Sequence, residues 1–247
     1  MSASVFSPLL AEIGAEMRQS IRAPEFLIPT IALPVIFYLM FGVMLARGGT
    51  EGSTYLLATY GIFAVMGPAL FGFGAGVAAE REKGWLRIKR VSPAPATGYI
   101  VAKLTSTLVF SCLALMPIYL SAGLLANVAL PTQVWLVLLA SHLLAAIPFS
   151  LLGLSIGFSF GSGGAVAVAN LCFLGLAVLG GLWFPVMLFP GFLKTIATAL
   201  PSFHLAEISL DIVNADSARP VARHLSVVAV TTLALAALAV WRWISQR

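Results

Sequence analysis

Residues 55–95 read YLLATYGIFAVMGPALFGFGAGVAAEREKGWLRIKRVSPAP. The first 24 of these, Tyr55–Ala78, contain no charged side chain. At about 1.5 Å per residue, roughly 20 helical residues cross a hydrocarbon core of about 30 Å. The run is therefore long enough to span a membrane. Glu80, Arg81, Glu82, Lys83, Arg87, Lys89 and Arg90 follow at once, and Pro93 and Pro95 end the stretch. A span that runs straight into a charged stop marks one membrane boundary. Gly61, Gly67, Gly72, Gly74 and Gly76 thin the apolar half and suit it to close helix contact. The GFGAG at 72–76 is not a dinucleotide fingerprint, because no strand precedes it and no βαβ unit surrounds it.

The rest of the chain has the same character. Of 247 residues, 60% are hydrophobic and 9% charged, with a net charge of +5. Soluble domains carry about 25% charged residues. An ordinary water-exposed globule is excluded, and so is a disordered chain, which would be poor in apolar residues. The few charges cannot coat a nucleic-acid groove, so no nucleic-acid partner is expected. Cys112 and Cys172 lie in apolar runs without metal-ligand spacing and read as small buried hydrophobes.

Outward from residue 55, the reading is an all-α polytopic membrane protein with six transmembrane helices, forming a single transmembrane domain over 1–247. Residues 1–24 form an amphipathic interfacial helix: Leu9, Leu10, Ile13, Met17 and Ile21 share one side, and Glu12, Glu16 and Arg18 supply the other. Two acidic residues and the lack of a short apolar core separate it from a signal peptide. The spans run about Phe26–Leu45, Tyr55–Ala78, Tyr99–Leu120, Val134–Phe158, Ala165–Leu182 and Leu225–Val240. Segment 183–200 is apolar but broken by Pro185, Pro190 and Gly191, so it reads as a re-entrant outer segment. His204–Arg223 reads as a polar connection before the last span, which ends on Trp241 and Trp243.

Six spans put both termini on one side. Arg18, Arg22, Arg81, Lys83, Arg87, Lys89, Arg90, Lys103, Arg242 and Arg247 share that side, while Arg47, Lys194, Arg219 and Arg223 lie opposite. The positive-inside rule then predicts a multi-pass membrane protein with both termini in the cytoplasm.

Few residues carry recognisable chemistry. There is no G-x-x-x-x-G-K-S/T loop, no H-E-x-x-H and no G-x-S-x-G elbow. His142, His204 and His224 are far apart in sequence, so a shared metal site would need a tertiary coincidence. No catalytic, cofactor-binding or metal-ligating residue is predicted, and the chain is not expected to be an enzyme. His142 is the one titratable residue well inside a predicted span, and reads either as a packing histidine or as a lumen-lining one. Gly153, Gly157 and Gly161 repeat every four residues, for contact within the chain or at a seam between copies. Asn170 needs a partner or a cavity in the bilayer. Phe71, Phe73, Phe173 and Trp183 are candidates for an apolar substrate route, and equally readable as core or lipid contacts.

Segment 80–92 is the most informative. Glu80, Arg81, Glu82 and Lys83 open a short amphipathic helix, with Trp85, Leu86 and Ile88 on its apolar side and Arg87 on its wet side. Gly84 permits close approach of another surface, and the prolines stop the helix.

With Glu80–Gly84 followed by Ser92–Pro93, the chain resembles the permease subunits of ABC-2 type transporters, an exporter class that includes drug, capsule and O-antigen exporters. A second motif of that family, Gly-Leu-aromatic-aromatic-Pro, then Pro, then Pro-Ser with a following histidine, matches Gly181–Pro185, Pro190 and Pro201–His204. The resemblance covers nearly the whole chain. It implies a dimer, expected as a homodimer, bound to two copies of a separate ABC ATPase subunit that uses ATP and Mg. Residues Glu80, Arg81, Glu82, Lys83, Gly84 and Arg87 would form the coupling helix seated on that ATPase. The substrate path would lie between two permeases and involve Phe71, Phe73, Asn170, Phe173 and Trp183, with Pro185 and Pro190 shaping an outer gate. The expected function is ATP-driven export of a hydrophobic or amphipathic compound. A proton-driven secondary transporter and a non-transporting membrane receptor or assembly factor are the alternatives.

Overall fold

The computed structural model describes residues 6–22, 24–46, 49–86, 96–214 and 221–245. The described residues form helices and no strand. Helix α1 is Phe6–Ile21, and α2 is Pro24–Phe37, continued by a π-helical stretch Tyr38–Met44. Then follow α3 (Gly49–Phe73), α4 (Ala75–Glu82), α5 (Ala96–Leu124), α6 (Thr132–Ser159) and α7 (Ser162–Leu179). A 3₁₀ turn at Val186–Leu188 leads to α8 (Gly191–Ala197), α9 (Pro201–Val213) and α10 (Val221–Ile244).

Among the described residues, five apolar stretches are long enough to cross a membrane: Gly49–Glu82, Gly98–Leu124, Thr132–Ser159, Ser162–Leu179 and Val221–Ile244. The first predicted span is a shorter apolar helix, Ile28–Met44, containing Pro29 and Pro34. Helices α8 and α9 meet at 85°, and counting this bent pair as one span gives six.

Helix α3 is the centre of the bundle. From Leu57 to Leu70 its side chains are almost wholly buried, as expected for a helix that is apolar all round. Helices α5, α6, α7, α9 and α2 pack around it. Gly61 lets the His142 imidazole lie against the α3 backbone. That ring accepts a hydrogen bond from the Tyr119 hydroxyl at Nδ1 (2.9 Å) and donates from Nε2 to the Ala58 carbonyl (3.0 Å). Both ring nitrogens are satisfied, so His142 is a packing residue.

Gly153 and Gly157 bring α6 onto the junction of α3 and α4. A Cβ on Gly157 would lie 2.7 Å from the Phe73 carbonyl oxygen, and one on Gly153 3.0 Å from those of Ala69 and Leu70. A Cβ on Gly161 would lie 2.6 Å from Glu82 Oε1. This three-glycine stripe therefore makes its contacts within the chain.

Two elements differ from the sequence reading. Glu80, Arg81 and Glu82 do not open a new helix; they close α4, which continues the second span past a bend at Gly74. Apolar contacts carry the helix onward because Val77 packs with Leu86 and Phe158 below the span. The supposed polar connection contains α9, whose Leu205, Ala206 and Leu210 enter the core. Its buried hydroxyls are satisfied, that of Ser209 within the helix by the Leu205 carbonyl and that of Ser202 by the Leu176 carbonyl of α7. Segment 183–200 is broken, as expected, into a 3₁₀ turn begun at Pro185 and a short helix begun at Pro190.

Candidate functional site

Three consecutive residues at the end of α4 reach three different neighbours. Glu80 is buried, and its Oε1 accepts from Lys103 Nζ and from Gln19 Nε2, each at 2.9 Å. Its Oε2 accepts from the Tyr99 hydroxyl at 2.6 Å. Tyr99 and Lys103 stand one turn apart on α5, which places both on one face. Lys103 Nζ also donates to Glu16 Oε1 of α1 at 2.5 Å. The ammonium thus lies between two carboxylates from different helices. Taking one member of such a buried set away costs about 3–5 kcal/mol, because the remaining charge stays buried.

Arg81 turns the other way. Its guanidinium donates to the carbonyls of Phe158 and Phe160, the latter at 2.7 Å, at the C-terminus of α6. Those carbonyls have no partner within the helix, and a cation there also complements the helix dipole. Glu82 serves the opposite pole. Its carboxylate accepts from the Ser162 backbone N–H (2.8 Å) and hydroxyl (2.6 Å), at the N-terminus of α7. One short acidic–basic–acidic run therefore fastens α1 and α5, then α6, then α7.

Beyond this knot the chain turns outward. Lys83 is the C-cap of α4, and Gly84 follows with φ +75°, the left-handed conformation that ends many helices. A Cβ on Gly84 would meet nothing within 4 Å. Among the described residues the glycine serves the backbone turn. Lys83 and Trp85 are exposed while Leu86 is buried. Arg87, also assigned to the coupling segment, lies outside the described residues, as do the remaining residues to Ser92 and Pro93.

The predicted pathway residues divide. Phe173 of α7 stacks on Phe63 of α3 at 4.7 Å and meets Phe71 edge-on at 5.9 Å. Trp183 packs against Phe63 (5.5 Å) and Phe37 (5.0 Å). Phe71, Phe173 and Trp183 thus belong to one aromatic cluster across α2, α3 and α7. The Trp183 indole N–H is buried with no hydrogen-bond partner among the described residues. Phe73 is buried apart from that cluster, at the bend before α4. Asn170 is exposed on α7 and makes no hydrogen bond to a described residue. Pro185 and Pro190 stand at the breaks already described. The Ser202 hydroxyl, in the later part of the second motif, lies 2.1 Å from where a Cβ on Gly180, the residue before its first part, would sit.

Sequence reasoning missed Glu16, Gln19, Tyr99, Lys103 and Ser162. A signal existed for Lys103, the one charged residue in the apolar run Gly98–Leu124. A charge inside a span is expensive and marks a site. Nothing in the sequence tied it to Glu16, 87 positions away.

The geometry defines a multi-pass α-helical membrane protein whose helix ends are fastened by a polar knot at one end of the bundle. Residues 46–241 match the model of the ABC-2 family transporter proteins, and the chain belongs to that family. It is 27% identical over 206 residues to the putative transport permease YvfS of Bacillus subtilis (strain 168), covering 82% of this chain and 84% of that protein. Its role is that of a transporter permease, a transport subunit and not an enzyme.

Proposed function

We propose that the chain is the permease of an ATP-driven exporter that moves a hydrophobic or amphipathic compound across a bacterial cytoplasmic membrane. Two copies pair with each other and with two separate ATPase subunits, which bind ATP and Mg. Segment 80–92 couples the two kinds of subunit, and both termini lie in the cytoplasm. The observation that carries this reading is the Glu80–Arg81–Glu82 knot directly before the exposed Lys83 and Trp85. A push on that exposed turn would reach four helices within three residues.

The aromatic cluster of Phe71, Phe173 and Trp183 supports an apolar route, with Asn170 exposed on α7. The breaks at Pro185 and Pro190 support an outer gate. The proton-driven alternative loses its main handle, because His142 holds both its neighbours as a neutral ring. The test is co-expression with candidate P-loop ATPases. A stable complex whose ATP hydrolysis is stimulated in membranes is expected. A chain that binds none of them, yet moves compounds under a pH gradient, would favour the alternative.

A further inference from the structure

We propose that Lys103 is a positioning residue, an ionic hinge through which movement of the ATPase-facing segment is passed to the interfacial helix α1. The proposal rests on the export reading above. Three observations carry it.

The first is the bridge itself. Lys103 Nζ joins Glu16 of α1 to Glu80 of α4, and Gln19 of α1 reaches the same Glu80. Buried ion pairs give little net stability compared with apolar packing of the same volume. A role in placing two helices explains the charge better than a role in holding the core.

The second is the contrast between the two sides of α4. Toward α6 the contact is backbone against glycine, with Arg81 and Glu82 clasping helix ends. That side is held backbone against backbone and at both helix ends. Toward α1 there is a cavity of about 110 Å³, bordered by Glu16, Gln19, Lys103, Ser106, Thr107 and Phe110. The void leaves α1 room to shift.

The third is the nature of the link. A lysine has a flexible four-carbon stem and a compact charge that holds its partners over a range of positions. Close-packed side chains have discrete arrangements and cannot do this. Helix α1 packs along α5, where a long Ser20–Ser106 hydroxyl contact at 3.3 Å adds to the Lys103–Glu16 pair, while Gln19 reaches α4. When the α4 end is displaced, α1 follows through the ammonium.

The test uses the full permease–ATPase complex in nanodiscs. Spin labels are placed on cysteines at Leu10 of α1 and Leu144 of α6, both exposed. Their separation is measured without nucleotide and after trapping with ATP and vanadate. In the otherwise wild-type complex the separation changes by roughly 1–2 Å or more, the scale of helix shifts in such transitions. With Lys103→Met the change is lost although ATP is still hydrolysed, and Lys103→Arg restores it. Glu16→Gln, which keeps a polar side chain of the same size, gives the same loss should Lys103→Met not assemble. Equal changes in all variants would overturn the hinge and leave the export reading intact. A wild-type complex that hydrolyses ATP with no change in separation would overturn it as well. Failure of the wild-type chain to bind any ATPase would overturn the export reading, and the hinge with it.

Discussion

Gly61 has no side chain where the imidazole of His142 lies: a Cβ built on Gly61 would fall 2.0 Å from His142 Cε1. The ring cannot retreat, because Tyr119 and the Ala58 carbonyl hold its two nitrogens. Gly61→Ala should therefore destabilise the bundle by about 1–3 kcal/mol, the usual cost of overpacking a core. For a chain of this size that corresponds to about 2–4 °C per kcal/mol in a thermal melt. His142→Ala placed on top should restore part of the loss, since the two sites share one space. Independent, additive losses in detergent-solubilised protein would contradict the contact.

Glu82 and Gly84 separate anchoring from docking. Glu82→Lys removes the acceptor for both Ser162 donors and sets a cation at a helix N-terminus. It should uncouple ATP hydrolysis from transport while the chain still inserts. Gly84→Ala should cost about 1–2 kcal/mol, because an L-residue is strained at that φ. Gly84→Leu should cost the isolated permease no more than Gly84→Ala, since its side chain meets open space. In the complex, Leu should be the worse of the two, as a partner surface covers the turn. Co-purification of the ATPase with each variant is the readout. Equal recovery with Ala and Leu would place the docking surface elsewhere.

Pro185 and Pro190 stand at the start of the 3₁₀ turn and of α8. Their double replacement by alanine removes two blocks to a continuous helix over 183–200. Transport in liposomes should fall while ATPase binding is kept. A parental rate at equal protein incorporation would make the break a simple connector.

For topology, Thr50 and Lys194 are exposed and predicted to lie outside, whereas Lys83 is exposed and predicted to lie inside. Single cysteines at Thr50 or Lys194 should react with a membrane-impermeant maleimide on intact cells. A cysteine at Lys83 should react only after permeabilisation. Ser53 would be a poor probe, since it is buried and donates to the Gly42 carbonyl.

Most of the bundle was legible in the sequence because membrane helices announce themselves by length and apolarity. The uncharged run from Tyr55 and the proline breaks after Trp183 could be read directly. Helix α9 could not, because polar residues such as Ser202, His204 and Ser209 mask its buried side. Its histidine pairs with His224, 20 residues on, with the Nδ1 atoms 2.9 Å apart. The sequence suggests one short helix running through Lys83 and Gly84, where the structure has a turn, and it suggests a surface for the upstream charges, which are instead engaged within the bundle. Charge alone does not tell whether Glu80 faces water or Lys103. The deciding partners are remote in sequence: Gln19 lies 61 positions from Glu80, and Ser162 lies 80 from Glu82.

Above all, this permease should work as part of an ATPase-driven assembly. Native mass spectrometry of the tagged chain, purified in mild detergent from the membrane of its own cells, tests it most directly. The expected result is a complex of two permease copies and two P-loop ATPase subunits that releases ATP or ADP on denaturation. A chain recovered only alone, or only as a permease dimer with no nucleotide-binding subunit, would contradict it.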